Sequence, residues 1–264
     1  MLIDSHAHLD APRFDADREA VVMRAHQAGI EAIITCGADL ASSRAAIDLG
    51  RRYEGVCATA GVHPHEASSV CSQASGEWVV SPDALAELRE LLSQPGVVAL
   101  GEIGLDYHHD LAPRAAQRAA FASQLRLAAE AGLPVVVHCR EAEEDLMAIM
   151  EDAPKGLAGV LHCFLGSERL AQWALARGLH LGIAGPITFA RMEALAKIVQ
   201  AAPPERLLVE TDCPYLAPHP LRGKRNEPAY VVHVARRLAE LRDLPFEQVA
   251  AVTTANAREL FHVG

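Results

Sequence analysis

Eight short apolar runs alternate with amphipathic segments along the whole chain, and few folds accommodate that rhythm. The runs cover 2–8, 31–36, 56–62, 97–103, 134–139, 158–163, 179–184 and 206–212. Val135-Val136-Val137 and Leu207-Leu208-Val209 are near-continuous hydrophobic stretches, the pattern of parallel strands buried on both faces. Helical segments near 15–28, 39–52, 83–93, 114–131, 142–151, 168–177 and 190–201 separate the runs, and two more follow near 229–242 and 246–261. Ser81-Pro82-Asp83 and Ala112-Pro113-Arg114 read as helix starts, and Gly29, Gly132 and Gly178 stand where left-handed C-caps belong. An eightfold strand–helix alternation in 264 residues predicts an α/β fold, a (β/α)8 TIM barrel forming a single domain over 1–264. An open doubly wound sheet is the alternative. No Gly-x-Gly-x-x-Gly follows the first run, which disfavours a dinucleotide-binding fold.

Composition narrows the function classes. A formal net charge of -10 argues against a broad basic surface for gripping nucleic acid, although a local positive site remains open. The six cysteines include no Cys-x-x-Cys pair, as expected for reduced thiols in a cytosolic protein. The N-terminus lacks the basic and apolar regions of a signal peptide, and no apolar run approaches the roughly 20 residues of a membrane span. The expected setting is cytoplasmic, with no membrane association and no obligate protein partner.

In such barrels chemistry sits at the C-terminal ends of the strands. Those ends carry His6 and His8; Gly61-Val62-His63-Pro64-His65; Gly101-Glu102-Ile103-Gly104-Leu105-Asp106; His138-Cys139-Arg140; His162-Cys163-Phe164; and Glu210-Thr211-Asp212-Cys213-Pro214. In a regular strand residues two apart project together, so His6 and His8 share a face. Four imidazoles and two carboxylates at one barrel mouth suit two divalent ions bridged by a carboxylate, and one ion could be held with residues to spare. By the same alternation, Cys139, Cys163 and Cys213, each directly after a ligand-type residue, should turn outward as packing residues.

These motifs, with Asp4-Ser5-His6-Ala7-His8, Arg222-Gly223-Lys224-Arg225-Asn226-Glu227-Pro228 and Thr253-Thr254-Ala255-Asn256, resemble the TatD family of metal-dependent hydrolases over essentially the whole chain. The resemblance implies a TIM barrel with two divalent ions that hydrolyses phosphodiesters, chiefly as a deoxyribonuclease. It implies that His6, His8 and Asp212 bind one ion and His138 and His162 the other, with Glu102 bridging. Asp212 is then placed to act as general base toward an attacking water. His63 is expected to contact a substrate phosphate or protonate the leaving oxygen, with His65 a weaker contact and Arg140 a phosphate clamp. Arg222, Lys224 and Arg225 would steer a DNA or other nucleic-acid backbone, and Tyr107 and Tyr215 would stack on a base or close the rim. Ion identity stays open among Zn²⁺, Mg²⁺ and Mn²⁺. The competing functions are the same two-metal barrel acting on another ester or amide, and a non-catalytic metal-binding scaffold.

Overall fold

The computed structural model describes residues 1–264. Eight parallel strands form its main sheet: β1 Leu2–Ala7, β2 Ile30–Cys36, β3 Val56–Ala60, β6 Val97–Asp106, β7 Val135–Arg140, β8 Gly159–Leu161, β9 His180–Ile183 and β10 Leu207–Val209, adjacent in that order. Helices α1 Arg18–Gln27, α2 Leu40–Arg52, α4 Pro82–Leu92, α5 Arg114–Ala131, α6 Glu143–Asp152, α7 Glu168–Ala176 and α8 Glu193–Ala201 lie between them. α9 Val231–Arg242 and α10 Phe246–Phe261 complete the chain. No helix is long and apolar enough to cross a membrane.

The sheet curls into a nearly closed barrel because its first and last strands meet. Past the end of β10 the backbone of Asp212 donates to the His6 carbonyl at 2.9 Å, and the His8 amide donates to the Cys213 carbonyl at 2.8 Å. The buried Asp4 carboxylate accepts the Thr211 amide at 2.8 Å and its hydroxyl at 2.6 Å, tying the seam by a side chain as well. The doubly wound alternative is thereby excluded.

A large apolar layer joins strands to surrounding helices, while Ile3, Ile34, Ala99, Val136, Val160 and Leu208 meet Ala257, Leu260 and Phe261 of α10 and fill the lower barrel. Two residues further on, His138 and His162 continue the faces of Val136 and Val160 by simple alternation. His6 and Glu102 stand three residues beyond Ile3 and Ala99, an odd step that alternation would send outward. Register shifts lie between Asp4 and Ala7 in β1 and between Leu100 and Ile103 in β6. Such bulges re-aim side chains, and here they turn both ligand-type residues inward.

The expected elements are present with ends moved by a few residues. One insertion is unforeseen: α3 Ala67–Val70 and an antiparallel hairpin, β4 Cys71–Ala74 with β5 Glu77–Val80, extend the connection after β3. Gly29, Gly132 and Gly178 adopt positive φ after α1, α5 and α7, as anticipated. Cys163 departs from the outward orientation assigned by alternation. It follows β8 in a left-handed turn (φ +43°), and the carboxylates of Asp212, Glu210 and Glu102 raise its thiol pKa beyond what burial does.

Candidate metal centre

Each ligand-type side chain reaches the barrel mouth from a different strand end. Gly104 makes that possible on β6: at φ +137° a Cβ there would lie 2.0 Å from the His138 carbonyl oxygen, so only glycine lets β6 run this close to β7 between Glu102 and Asp106.

Glu102 is the hub. Its Oε2 lies 3.3 Å from His6 Nε2 and 3.4 Å from His8 Nε2. Its Oε1 lies 3.0 Å from His138 Nδ1, 2.7 Å from His162 Nε2 and 3.3 Å from His63 Nε2. Asp212 Oδ1 closes the first group at 3.9 Å from His6 Nε2 and 3.6 Å from His8 Nε2. All six expected ligand residues therefore converge, His6, His8 and Asp212 on one side of the Glu102 carboxylate and His138 and His162 on the other. His63 joins the second group at ligand-like distance.

Hydrogen bonds behind the rings decide which nitrogens face inward. His8 Nδ1 lies 3.0 Å from the Cys36 carbonyl, which can only accept, so Nδ1 carries a proton and Nε2 is the nitrogen turned to the centre. His138 Nε2 lies 3.1 Å from Asp106 Oδ2, which leaves Nδ1 as the nitrogen turned to the centre. Glu210 stands 3.6 Å from His162 Nδ1 and is held by the Ser5 hydroxyl and the Cys163 amide. The inward nitrogens stand close together, His6 Nε2 to His8 Nε2 at 3.2 Å and His138 Nδ1 to His162 Nε2 at 3.1 Å. Once deprotonated they could share an ion, and the imidazole–carboxylate donor set fits borderline divalent metals.

The electrostatics agree. Burial opposes ionisation of Glu102, yet His162, His63 and His6 hold its pKa well below the usual carboxylate range. Burial likewise disfavours charge on His8, but the Asp212 hydrogen bond and Glu102 raise it to about 9. His63 goes the other way: burial lowers it to about 4, so its ring is neutral near pH 7.

With this geometry in view, relatives become informative. A family profile described as TatD related DNase matches residues 3–262. The chain belongs to that family. An uncharacterized metal-dependent hydrolase, YabD of Bacillus subtilis, is 40% identical over 264 residues, covering 100% of both chains. The 3'-5' ssDNA/RNA exonuclease TatD of Cronobacter sakazakii is 40% identical over 266 residues, covering 98% of this chain and 97% of its own. The crystal structure of YJJV, a TatD homolog from Escherichia coli, superposes with TM-score 0.89 at 31% identity, covering 100% of this chain and 98% of that one.

The outlying expectations for a TatD-family chain fare unevenly. Arg140 forms no ion pair and stays half-buried beside His138; Arg222 and Lys224 are exposed and form no ion pair, although the Arg222 guanidinium lies 4.5 Å from the Phe189 ring centroid. Arg225 does not fit a substrate role. Its guanidinium makes bonds of 2.6 and 2.8 Å to Asp17 and lies over the Phe14 ring, anchoring the loop to α1. Tyr107 is similarly engaged by Asp145 and Arg118, whereas Tyr215 is exposed with its ring centroid 6.1 Å from that of His8. His65 turns from the centre toward Asp106, 2.8 Å away. Asp106, Glu210 and Asn226 carry supporting roles that sequence reading did not assign. Asp106 had a signal, lying four residues beyond Glu102 on one strand face; Asn226, which bonds the Thr211 and Tyr215 carbonyls, had none beyond its motif.

Proposed function

We infer that this chain is a two-metal phosphodiesterase that removes nucleotides from the 3′ end of single-stranded DNA or RNA. The observation that carries the reading is the division of Glu102, one oxygen facing His6 and His8 and the other facing His138 and His162. His6, His8 and Asp212 would hold one ion, His138 and His162 the other, with Glu102 between them. Bound there, the ions would acidify an attacking water and polarise the phosphoryl oxygens.

The protein's own groups supply the rest. Asp212, ionised at neutral pH because His8, His162 and His6 outweigh its burial, is the base that takes the water's proton and orients its lone pair. Neutral His63 suits a hydrogen bond to a substrate phosphate better than protonation of the leaving oxygen. Arg140, free of acidic partners, would clamp a phosphate with two N–H donors. Arg222 and Lys224 would track the backbone on the rim, and exposed Tyr215 would stack on the terminal base. Family relatives named as single-strand exonucleases support an end-directed nuclease, and six free thiols support a reducing, cytosolic setting.

The test uses single-stranded oligonucleotides labelled at either end, incubated with Mg²⁺, Mn²⁺ or EDTA. A ladder shortening from the 3′ end only with metal, and lost in Asp212→Asn, is the expected result. A folded, metal-loaded protein that leaves phosphodiesters intact and cleaves a carboxylic ester or amide instead would overturn it.

A further inference from the structure

Beside the centre, but outside its six ligands, Asp106 collects more donors than a carboxylate can accept. Oδ1 accepts the backbone amides of His108 at 3.0 Å and His109 at 2.8 Å. Oδ2 faces His65 Nε2 at 2.8 Å, His109 Nδ1 at 2.8 Å and His138 Nε2 at 3.1 Å. Five nitrogens thus address about four lone-pair positions. The carboxyl group is fully buried and cannot share the excess with water.

We propose that His65, Asp106 and His109 form a third metal site, taking a first-row divalent cation such as Zn²⁺. An ion on Oδ2 occupies one lone pair and leaves the other for His138 Nε2–H, so the carboxylate's count closes at four. His65 and His109 then present lone pairs to the ion in place of protons. Their ligand atoms already lie within 4.8 Å of one another. A tetrahedral ion with bonds near 2.1 Å sets its ligands roughly 3.4 Å apart, so the present spacings must open by about half an ångström. His109, with its side chain 52% exposed, can rotate to allow it. Three elements supply the ligands: the 3-10 turn Pro64–Glu66 after β3, the last residue of β6, and the turn that follows it. Two imidazoles with one carboxylate favour borderline ions over Mg²⁺ or Ca²⁺. The exposed side leaves positions for water or a substrate oxygen.

The site is tested by stripping the full-length protein with a chelator, reloading it with Zn²⁺, desalting and counting bound equivalents by mass spectrometry. Wild type should hold three equivalents, with His109→Ala and His65→Ala holding two each, and anomalous scattering should show the third ion at Asp106. Equal stoichiometry in wild type and His109→Ala overturns the proposal, as does loss of more than one equivalent in His109→Ala or His65→Ala. His6→Ala separates this site from the functional reading: it should keep the Asp106 ion while losing at least one other. If ions vanish with His6→Ala and never with His109→Ala, the two-metal reading stands and the third site falls.

Discussion

The roles of single side chains here follow from what stands behind them as much as from what they face. Glu210 is fully buried, where it backs His162 and is fixed by Ser5 and the Cys163 amide. Partners of metal-ligating histidines typically change metal affinity by about 10–100-fold when removed. Glu210→Gln should therefore weaken ion binding by that order in a chelator-competition titration, and wild-type affinity would show that Glu210 only braces the strand. Asp212→Asn should reduce hydrolysis by about 10²–10⁴, the range of a lost general base, measured at saturating metal. The convergence of the six proposed ligand residues was legible because their residue types are rare at strand ends and recur there. Arg225 was misread because sequence displays its charge and conceals Asp17, which lies far away in the chain and next to it in space.

At the level of elements, the barrel relies on irregularities. The shifts in β1 and β6 bring His6 and Glu102 inward, and neither was visible in a reading that assumed strict alternation. The β4–β5 hairpin escaped for another reason: its two four-residue strands are largely exposed and flank a Ser75-Gly76 turn, with too little hydrophobic period to register. The closing seam makes a sharper case. Thr211→Val keeps the shape but deprives the buried Asp4 carboxylate of a donor, so it should cost about 1–3 kcal/mol in denaturant unfolding. The loop past β10 divides by residue. Arg222→Ala and Lys224→Ala should each raise KM for oligonucleotides and flatten its salt dependence by roughly one unit of slope. Arg225→Ala should lower thermal stability while leaving that slope unchanged.

Across the whole molecule, protonation and metal compete for the same nitrogens. The metal-free protein holds His8 at about 9 against its ordinary 6.5, so this group stabilises the fold fully below pH 6.5 and loses that contribution as pH rises to about 9. An ion bound as proposed would displace the same proton, so its apparent affinity should climb across that interval. The melting-temperature gap between loaded and metal-free protein should widen from pH 6.5 to 9, as scanning calorimetry would read. At one hundred times Kd a single ion contributes about 2.7 kcal/mol, or roughly 5–10 °C in a domain of this size. A gap that narrows with pH would remove His8 from the ligand set. The barrel itself was legible because its eight apolar runs are all buried, whereas closure rests on contacts between residues at opposite ends of the sequence. Those contacts bear on synthesis. His6 and His8 are synthesised about 200 residues before Asp212, which arrives together with the strand that shuts the barrel. A nascent chain that stops short of Asp212 lacks one of the three residues proposed for the first ion, so a nuclease built this way stays unarmed until that strand end has been made.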